Sequence, residues 1–528
     1  MIILGLHRDP WHNAGAAMIR AEAGAPPRIV MGSEERFDRV KDSRAFPAGA
    51  IAACMAELGV GGIDQIDLVV LDYIRTANWR HDALRRPSAR DTLLDAVDPT
   101  RIHVIDHHWC HAAAVFFSSG FDDAAILIVD GRGSDRETQS LFVGEGTTLR
   151  RVAQTDCIGI GLLYEAVTIA IGFGLLQEGK TMGLAPYGAA GPEPLPEFPG
   201  RFDGIVTDYS GYCIEDSYEL RQPIVATTLA EKARAAYAVQ RECEAAMRHL
   251  ASHAHNVTGK RRLCLSGGVA LNSVANYVIA ESGLFDEVFV NPAASDTGIP
   301  LGAALHGYHT ILGNPRLSAP ISPFIGPRYG DADLDAALAI AKGRCRIEHN
   351  QALEKTADLL SANRVVGHFH GRSEMGPRAL GNRSILMSPC DAANKDTLNA
   401  RVKHREAFRP FAPACLVERA GELFEIGYPS PYMLFVPPVR EAARKLIPAV
   451  VHFDGTGRLQ TVSRADNARL YQLIELFEQR TGVPVLLNTS FNDNGEPIVE
   501  TPADAVRCFL KTDLDALLLE NHLLLKTR

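Results

Sequence analysis

Several things are missing from this 528-residue chain, and each absence removes a class of function. Its ten cysteines, at positions 54, 110, 157, 213, 243, 264, 345, 390, 415 and 508, include no CxxC pair. That excludes the usual zinc-ribbon and dithiol redox spacings and fits reduced thiols, most of them small core residues. Basic residues are not in excess: 54 Lys plus Arg against 63 Asp plus Glu leave a net charge of −9, which argues against a surface built to grip nucleic acid or anionic lipid. No basic leader precedes the strand-like start MIILGLHRDPW, so a cytoplasmic location is expected. One stretch, Gly159 to Leu176, has the length of a short membrane span, yet Glu165 in its middle, its four glycines and the following EGKTMG predict a buried helix or helical hairpin. Low-complexity tracts and heptad runs are absent. Both standard nucleotide motifs are absent too: SGGVALN lacks the three-glycine dinucleotide spacing, and GRSEMGPRALGNRS has Pro377 and Arg378 where a phosphate-binding loop needs Lys and Ser or Thr.

What is present is a globular chain, 46% hydrophobic, long enough for about three folding units. One pattern occurs twice. Ile2 to Leu6 is an apolar strand followed by a polar turn (HRDPWHNA) and strands near Ala16 to Ile19 and Arg28 to Met31; Ala125 to Val129 is again apolar, followed by DGRGSDRETQ and the strands SLFVG and LRRVAQT. This predicts a duplicated α/β unit with polar turns of both copies facing one ligand. Ala48 to Leu58 has helical spacing, Ile66 to Leu71 and Arg101 to Ile105 read as strands, and His107 to Phe117 as a helix. Arg262 to Leu265 and Val288 to Val290 are strands that end in small-residue loops at helix N-termini, a setting that suits anions. Proline-rich Asn314 to Tyr329 reads as a linker, and another α/β unit follows, with a helix over Asp331 to Ala341 and strands over Val365 to Phe369 and Val483 to Leu487.

Two constellations could carry chemistry. His107 and His111, four apart on a helix, present both imidazoles on one face. An HxxxH among 18 histidines is also an incidental pair, but Asp130 in IVDGRG and Asp296 in AASDTG stand at strand ends where a carboxylate reaches into a cleft. Together the four would make a mixed nitrogen and oxygen site for a divalent ion such as Fe, Mn or Zn; each Asp is alternatively a turn former or helix cap. The second constellation lies between Arg364 and Arg409, where nine Lys or Arg and four acids give +5. Arg378, Lys403, Arg405 and Arg409 are embedded in apolar sequence (MGPRALG, VKHREAFRPFAP), and a buried cation needs an anionic partner. Arg forks plus a Lys point charge suit phosphate or acyl phosphate. Asn488 and Ser490 at a strand end would add neutral donors, and Gly267 and Gly268 either admit a nucleotide or permit tight helix packing, which the residues alone leave open.

The ordered motifs HNAGAAM, EERFDRVK, DHHWCHAAAVF, VDGRGSDRET, GLLYEAVT with QEGKTMGLAPYG, LSGGVALN, NPAASDTGIPLGAAL, EMGPRALGNRSIL, RVKHREAFRPFAP and LLNTSFNDNGEPIVETPADA resemble the O-carbamoyltransferases, which include the nodulation-factor and cephamycin enzymes and those of aminoglycoside, aminocoumarin and ansamycin antibiotics. The resemblance implies an actin-like N-terminal domain (duplicated RNase H-like, related to the TsaD-type tRNA threonylcarbamoyl transferase) over residues 1–325, and a YrdC-like α/β domain over 326–528. The second would activate carbamoyl phosphate with ATP to carbamoyl adenylate; the first would transfer the carbamoyl group to a hydroxyl of a small natural product, in the antibiotic class. Water destroys an adenylate, so the two steps should share an enclosed volume.

By motif, the resemblance makes His107, His111, Asp130 and Asp296 the metal ligands, with iron the family's ion and Mn or Zn the alternatives. It makes Arg378, Lys403, Arg409, Asn488 and Ser490 the carbamoyl phosphate and ATP site with Arg405 beside them, Gly267, Gly268 and Asn272 the nucleotide contacts of the transfer domain, and His12 the residue at the acceptor hydroxyl. One departure stands out: the family has Asp after that histidine, whereas this chain has Asn13, which weakens any carboxylate support for His12. Neither nucleic acid nor membrane is an expected partner. A tRNA-modifying enzyme is the nearest rival and is disfavoured by the net charge of −9; a non-catalytic nucleotide-dependent regulator would not need both constellations. Acceptor specificity is expected in Asp72 to Asp98, with Trp79, and in Phe198 to Gln222, where Tyr209 and Tyr212 would offer apolar faces.

Overall fold

The computed structural model describes residues 1–8, 12–73, 94, 96–191, 195–215, 217–317 and 319–527. It divides into two compact units, Met1–Glu34 with Asp42–Ile321, and Glu35–Lys41 with Ser322–Arg528.

In the first unit one topology occurs twice. Strands β1 (Ile2–His7), β2 (Gly15–Arg20), β3 (Arg28–Ser33), β4 (Leu68–Tyr73) and β5 (Ile102–Asp106) form a sheet in the order β3-β2-β1-β4-β5. The first three pair antiparallel, and β4 and β5 continue from β1 in parallel. Strands β6 (Asp123–Val129), β7 (Gln139–Glu145), β8 (Thr148–Thr155), β11 (Arg262–Ser266) and β12 (Glu287–Val290) repeat that order and those directions. Between them β9 (Arg201–Asp203) and β10 (Val206–Asp208) make a separate two-stranded ribbon. This duplicated sheet is the actin-like fold. Its central strands read as unbroken apolar runs because helices cover both faces: Ala124 to Val129 are buried throughout.

Close helix contact sets the site's geometry. A Cβ at Gly302, in the helix Ile299–His306, would lie 1.9 Å from the Cys110 carbonyl oxygen, so only glycine lets this helix touch the helix His107–Ser119. The apolar stretch from Gly159 is not one long span: it forms the helix Ile160–Ala170, a turn, and the helix Glu178–Leu184. Among the described residues no helix is long and apolar enough to cross a membrane. All ten cysteines are free and most are buried.

The second unit is a mixed eight-stranded sheet. Its strands are β13 (Cys345–Glu348), β14 (Val366–Phe369), β15 (Arg383–Met387), β16 (Ala412–Leu416), β17 (Gln460–Val462), β18 (Val485–Ser490), β19 (Ala516–Leu519) and β20 (His522–Lys526), in the order β13-β20-β19-β14-β15-β18-β16-β17. The helices Ala352–Ser361, Ala468–Thr481 and Pro502–Lys511 pack their apolar stripes on it, burying Leu360, Phe477 and Phe509, and the helix Asp331–Ala341 packs on the last of them.

Candidate metal and anion sites

In the first unit β5 runs directly into the helix His107–Ser119, whose start is capped by Asp106 accepting from the Trp109 N–H at 2.9 Å. That cap places His107 and His111 one turn apart, both fully buried. Asp130, just after β6, has its Oδ1 held by the N–H groups of Gly131 and Gly268, each at 2.9 Å. Its Oδ2 faces Nε2 of His111 at 3.1 Å and of His107 at 3.4 Å. Asp296 opens the short turn after β12, and its Oδ1 lies 3.4 Å from His107 Nε2 and 3.5 Å from His111 Nε2. All four sequence-predicted ligands therefore converge, with one donor atom of each within 4.8 Å of the others.

The hydrogen bonds behind the imidazoles decide what the cluster can hold. His107 Nδ1 donates to Asp72 Oδ2 at 2.8 Å, and His111 Nδ1 donates to Ser266 Oγ at 3.2 Å, whose own proton goes to the Ala294 carbonyl. With Nδ1 protonated, each neutral imidazole turns an Nε2 lone pair toward the two carboxylates. That arrangement is repulsive unless a cation sits between them. Protonating the rings is one remedy: burial opposes it, but Asp296, Asp130 and Asp72 raise the His107 pKa well above the imidazole range. Burial and Asp296 push Asp130 up, and the hydrogen bonds from His107 and His111 overcome them, leaving it lowered. A divalent metal is the other remedy. Donor separations of 3.1 to 3.5 Å match the edges of a coordination shell with bonds of about 2.0–2.2 Å, so the four side chains can hold such an ion.

His12 joins this cluster through the same aspartate. Its Nδ1 lies 3.5 Å from Asp296 Oδ2 and 3.0 Å from the Asn13 amide nitrogen. The Asn13 amide donates to His12 Nδ1, so that nitrogen is an acceptor, and Asp296 Oδ2 acts on the ring only as a nearby negative charge.

The second unit carries the other constellation. Lys403 ends the helical turn Asn399–Lys403 and is buried, its ammonium donating to Asn492 Oδ1 at 2.7 Å, Ser490 O at 2.9 Å and Asn492 O at 3.0 Å. These are neutral oxygens. Burial, then Arg405, holds the Lys403 pKa down to about 7. Burial and the Arg409 charge depress Arg378 to about 10 and Arg405 to about 9. Arg458 is depressed well below the guanidinium range by burial and by Arg378, Arg405 and Arg409. Arginines keep their protons in proteins, so these shifts mark guanidinium groups that are poorly solvated first and crowded by like charge second. Arg405 is further held over the Phe411 ring at 4.2 Å, and Arg409 lies 3.8 Å from Glu406. A pocket of this kind can take an anion with several oxygens.

Comparison with known proteins covers the segments that carry both constellations. Residues 73–200 and 207–305 match the family model described as carbamoyltransferase N-terminus, and residues 357–526 match carbamoyltransferase C-terminus. The nodulation protein NolNO of Sinorhizobium fredii is 39% identical over 94% of this chain and 77% of its own length. The chain belongs to the carbamoyltransferase family. The nodulation protein NolO of Bradyrhizobium diazoefficiens is likewise 39% identical, over 80% of this chain and 79% of its own. A solved structure of full-length HypF in a phosphate- and nucleotide-bound form covers 60% of this chain at 15% identity with a TM-score of 0.32; the duplicated topology above rests on strand order, not on that likeness.

Several residues of this carbamoyltransferase have structural partners that their sequence reading did not include. Gly267 has φ +94, and a Cβ there would lie 2.3 Å from the Val129 carbonyl oxygen, while the Gly268 N–H is committed to Asp130. The pair thus braces a cluster carboxylate. The Asn272 side chain caps the helix Ser273–Ala280, accepting from the Ala275 N–H at 3.1 Å, and donates to Gln240 at 2.9 Å. Asn488, expected as a donor, spends both N–H bonds on Gln460 Oε1 and the Ala379 carbonyl; its buried Oδ1 has no partner among the described residues. It therefore offers an acceptor. Tyr209 is 0% exposed, with its hydroxyl donating to Glu242, so it presents no face to a ligand. Trp79 and most of Asp72 to Asp98 lie outside the described residues.

Sequence reasoning missed Asp72, His7 and Arg458. Asp72 accepts from both His107 Nδ1 and, at 2.9 Å, His7 Nδ1. Both Asp72 and His7 sit near the C-terminal ends of parallel strands, where ligands of open α/β sheets gather, and that position was the available signal. Arg458 falls outside the basic run from 364 to 409, in a GTGR turn with no signal of its own.

Proposed function

We propose that this carbamoyltransferase activates carbamoyl phosphate with ATP in its second unit and transfers the carbamoyl group from carbamoyl adenylate to a hydroxyl of a small natural product, in the antibiotic class, at the first unit. In activation one water splits carbamoyl phosphate to carbamate and phosphate, and the carbamate oxygen displaces pyrophosphate from the ATP α-phosphate. The observation that carries it is the pairing of a half-buried arginine cluster around the buried Lys403 with a separate buried His and Asp cluster. Arg378, Arg405, Arg409 and Lys403 bind phosphate oxygens, and Ser490 completes the cradle. Asn488 Oδ1 suits the amide hydrogens of a carbamoyl group, which a methyl or hydroxyl in its place would not supply.

In the first unit His107, His111, Asp130 and Asp296 would hold a divalent ion, iron in this reading with manganese or zinc as alternatives; when bound it supplies charge stabilisation for the departing AMP. Gly267 and Gly268 keep Asp130 in place. His12, backed by Asp296, takes the acceptor hydroxyl's proton at an imidazole nitrogen. The work is placed in the cytoplasm.

The test mixes protein, ATP and carbamoyl phosphate and assays pyrophosphate, then screens hydroxylated natural products by mass for a gain of one carbamoyl group. Release of pyrophosphate without any carbamoylated product from the screen would leave activation standing and reject the acceptor class. Failure to release pyrophosphate in the presence of an acceptor would reject the adenylate route.

A further inference from the structure

The motif EERFDRVK has no part in the chemistry above, yet the structure places all of it but Glu34 in the second unit. Glu35–Asp38 is a single helical turn, closed by Lys41 reaching back to Glu35 at 3.0 Å. From it two arginines grip the neighbouring chain. Arg39 donates to the carbonyls of Ile498 at 2.7 Å and Pro497 at 2.9 Å. Arg36, only 4% exposed, does two things with one guanidinium: Nη2 donates to the Gly376 carbonyl at 3.0 Å, and Nη1 lies 3.5 Å from Glu500 Oε2.

Gly376 is two residues before Arg378, in the loop 371–382. That loop is wound around one carboxylate. Glu374 Oε1 accepts from the N–H groups of Leu380, Asn382 and Arg383, at 2.7, 3.1 and 3.2 Å. The near side is tied by Met375 N–H to the Pro323 carbonyl at 2.8 Å. Gly376 itself has φ +83, the left-handed region, so the chain reverses there and Arg378 leaves the turn in a direction set by the Gly376 peptide. Glu500, 1% exposed, also ties Ser373 of the loop at 2.8 Å through its other oxygen. Arg36 thus spans two anchors of the loop that aims Arg378.

We infer that Arg36 is a positioning residue for Arg378: its fork between Glu500 and the Gly376 carbonyl sets the direction in which Arg378 meets the phosphate-bearing substrate. The inference rests on Arg378 being an anion ligand, as proposed above. Lysine at 36 keeps the charge that faces Glu500 but loses the planar fork whose two nitrogens meet Glu500 and Gly376 separately, so it holds the Gly376 carbonyl less rigidly. Arg36→Lys is therefore the informative variant, and Arg36→Ala, which strands Glu500 in the interior, is not.

The experiment is a double-mutant cycle on carbamoyl-phosphate-dependent pyrophosphate release, using the full chain. Arg36→Lys should raise the KM for carbamoyl phosphate about tenfold while kcat stays within about twofold, and it should cost almost nothing further when Arg378 is already alanine. If Arg378→Ala is too slow to assay, titration with inorganic phosphate supplies the same cycle. An unchanged KM in Arg36→Lys beside a weakened Arg378→Ala would overturn the inference, as would an equal loss in both backgrounds, the mark of a purely structural role. Unchanged behaviour of Arg378→Ala would instead reject the anion-site reading on which the inference stands.

Discussion

The two charged clusters, one buried and one half-buried, are built on opposite charge logic. In the first unit His107, His111, Asp130 and Asp296 balance one another, each carboxylate facing both imidazoles. In the second, burial first and then like charge depress Arg378, Arg405 and Arg458, with Arg409 acting on all three, and Lys403 is surrounded by neutral oxygens. One cluster turns lone pairs and carboxylates toward a point that suits a cation; the other gathers positive charge that suits an anion. Burying charge costs several kcal/mol per ion unless it is paired, so a fold that keeps both clusters keeps them for what binds there. Each has its own backing, too: Asp72 and Ser266 orient the imidazoles, whereas Glu374, Glu500 and Arg36 orient a loop.

The comparison breaks if either cluster serves both steps. The largest effect expected is that of Lys403→Ala, which should slow pyrophosphate release by about 10²–10³-fold if its charge contacts the reacting phosphate. Asp296→Ala in the same assay should release pyrophosphate at the wild-type rate and yet form no carbamoylated product; loss of both steps together would merge the clusters into one site.

Next in size is metal content. Purified wild type should carry about one ion per chain and His111→Ala almost none by elemental analysis, since removing one of four ligands leaves the site open and its carboxylates in repulsion. Equal content in both would remove the cation half of the comparison. Asp72→Asn should be milder: its single carbonyl oxygen cannot accept from both His7 and His107, so metal affinity should fall about 10–100-fold in a competition against a chelator, with the protein still folded.

The smallest effect concerns pH. Lys403 is held to about 7, so as pH rises above that value its ammonium loses the proton that an anion needs. Binding an anion draws the proton back. Sulfate, which does not titrate in this range, should therefore bind with proton uptake and weaken by at most tenfold per unit above pH 7. Lys403→Met should flatten that dependence; a persistent slope would assign the titration elsewhere.

Much of the first cluster was legible because its ligands follow local rules. An HxxxH at a helix start and an aspartate directly after a buried strand are visible within a few residues, and β1, β6, the helix Ala48–Leu58 and the helix Asp331–Ala341 all lie where apolar periodicity places them. The basic run likewise pointed to Arg378, Lys403, Arg405 and Arg409. Polarity and partnership were not legible. Asn488 reads as a donor until β18 pairs with β15 and β16 and its two N–H groups are spent. Gly267 and Gly268 left nucleotide approach and tight packing open, and the close pass of Val129 accounts for the first of them.

By itself the sequence determined which segments become strands and helices, which turns carry histidine, aspartate and arginine, and that two charged constellations exist, because hydrophobic period and turn chemistry act over neighbouring residues. Only the tertiary structure decided who backs whom. Asp72 reaches His107 across 35 positions, Arg36 reaches Gly376 across 340, and Arg458 joins arginines that precede it by a whole strand and helix-lined stretch. Such contacts depend on which strands pair and where loops end. Chain proximity carries no information about them, since loop closure costs little more over hundreds of residues than over tens.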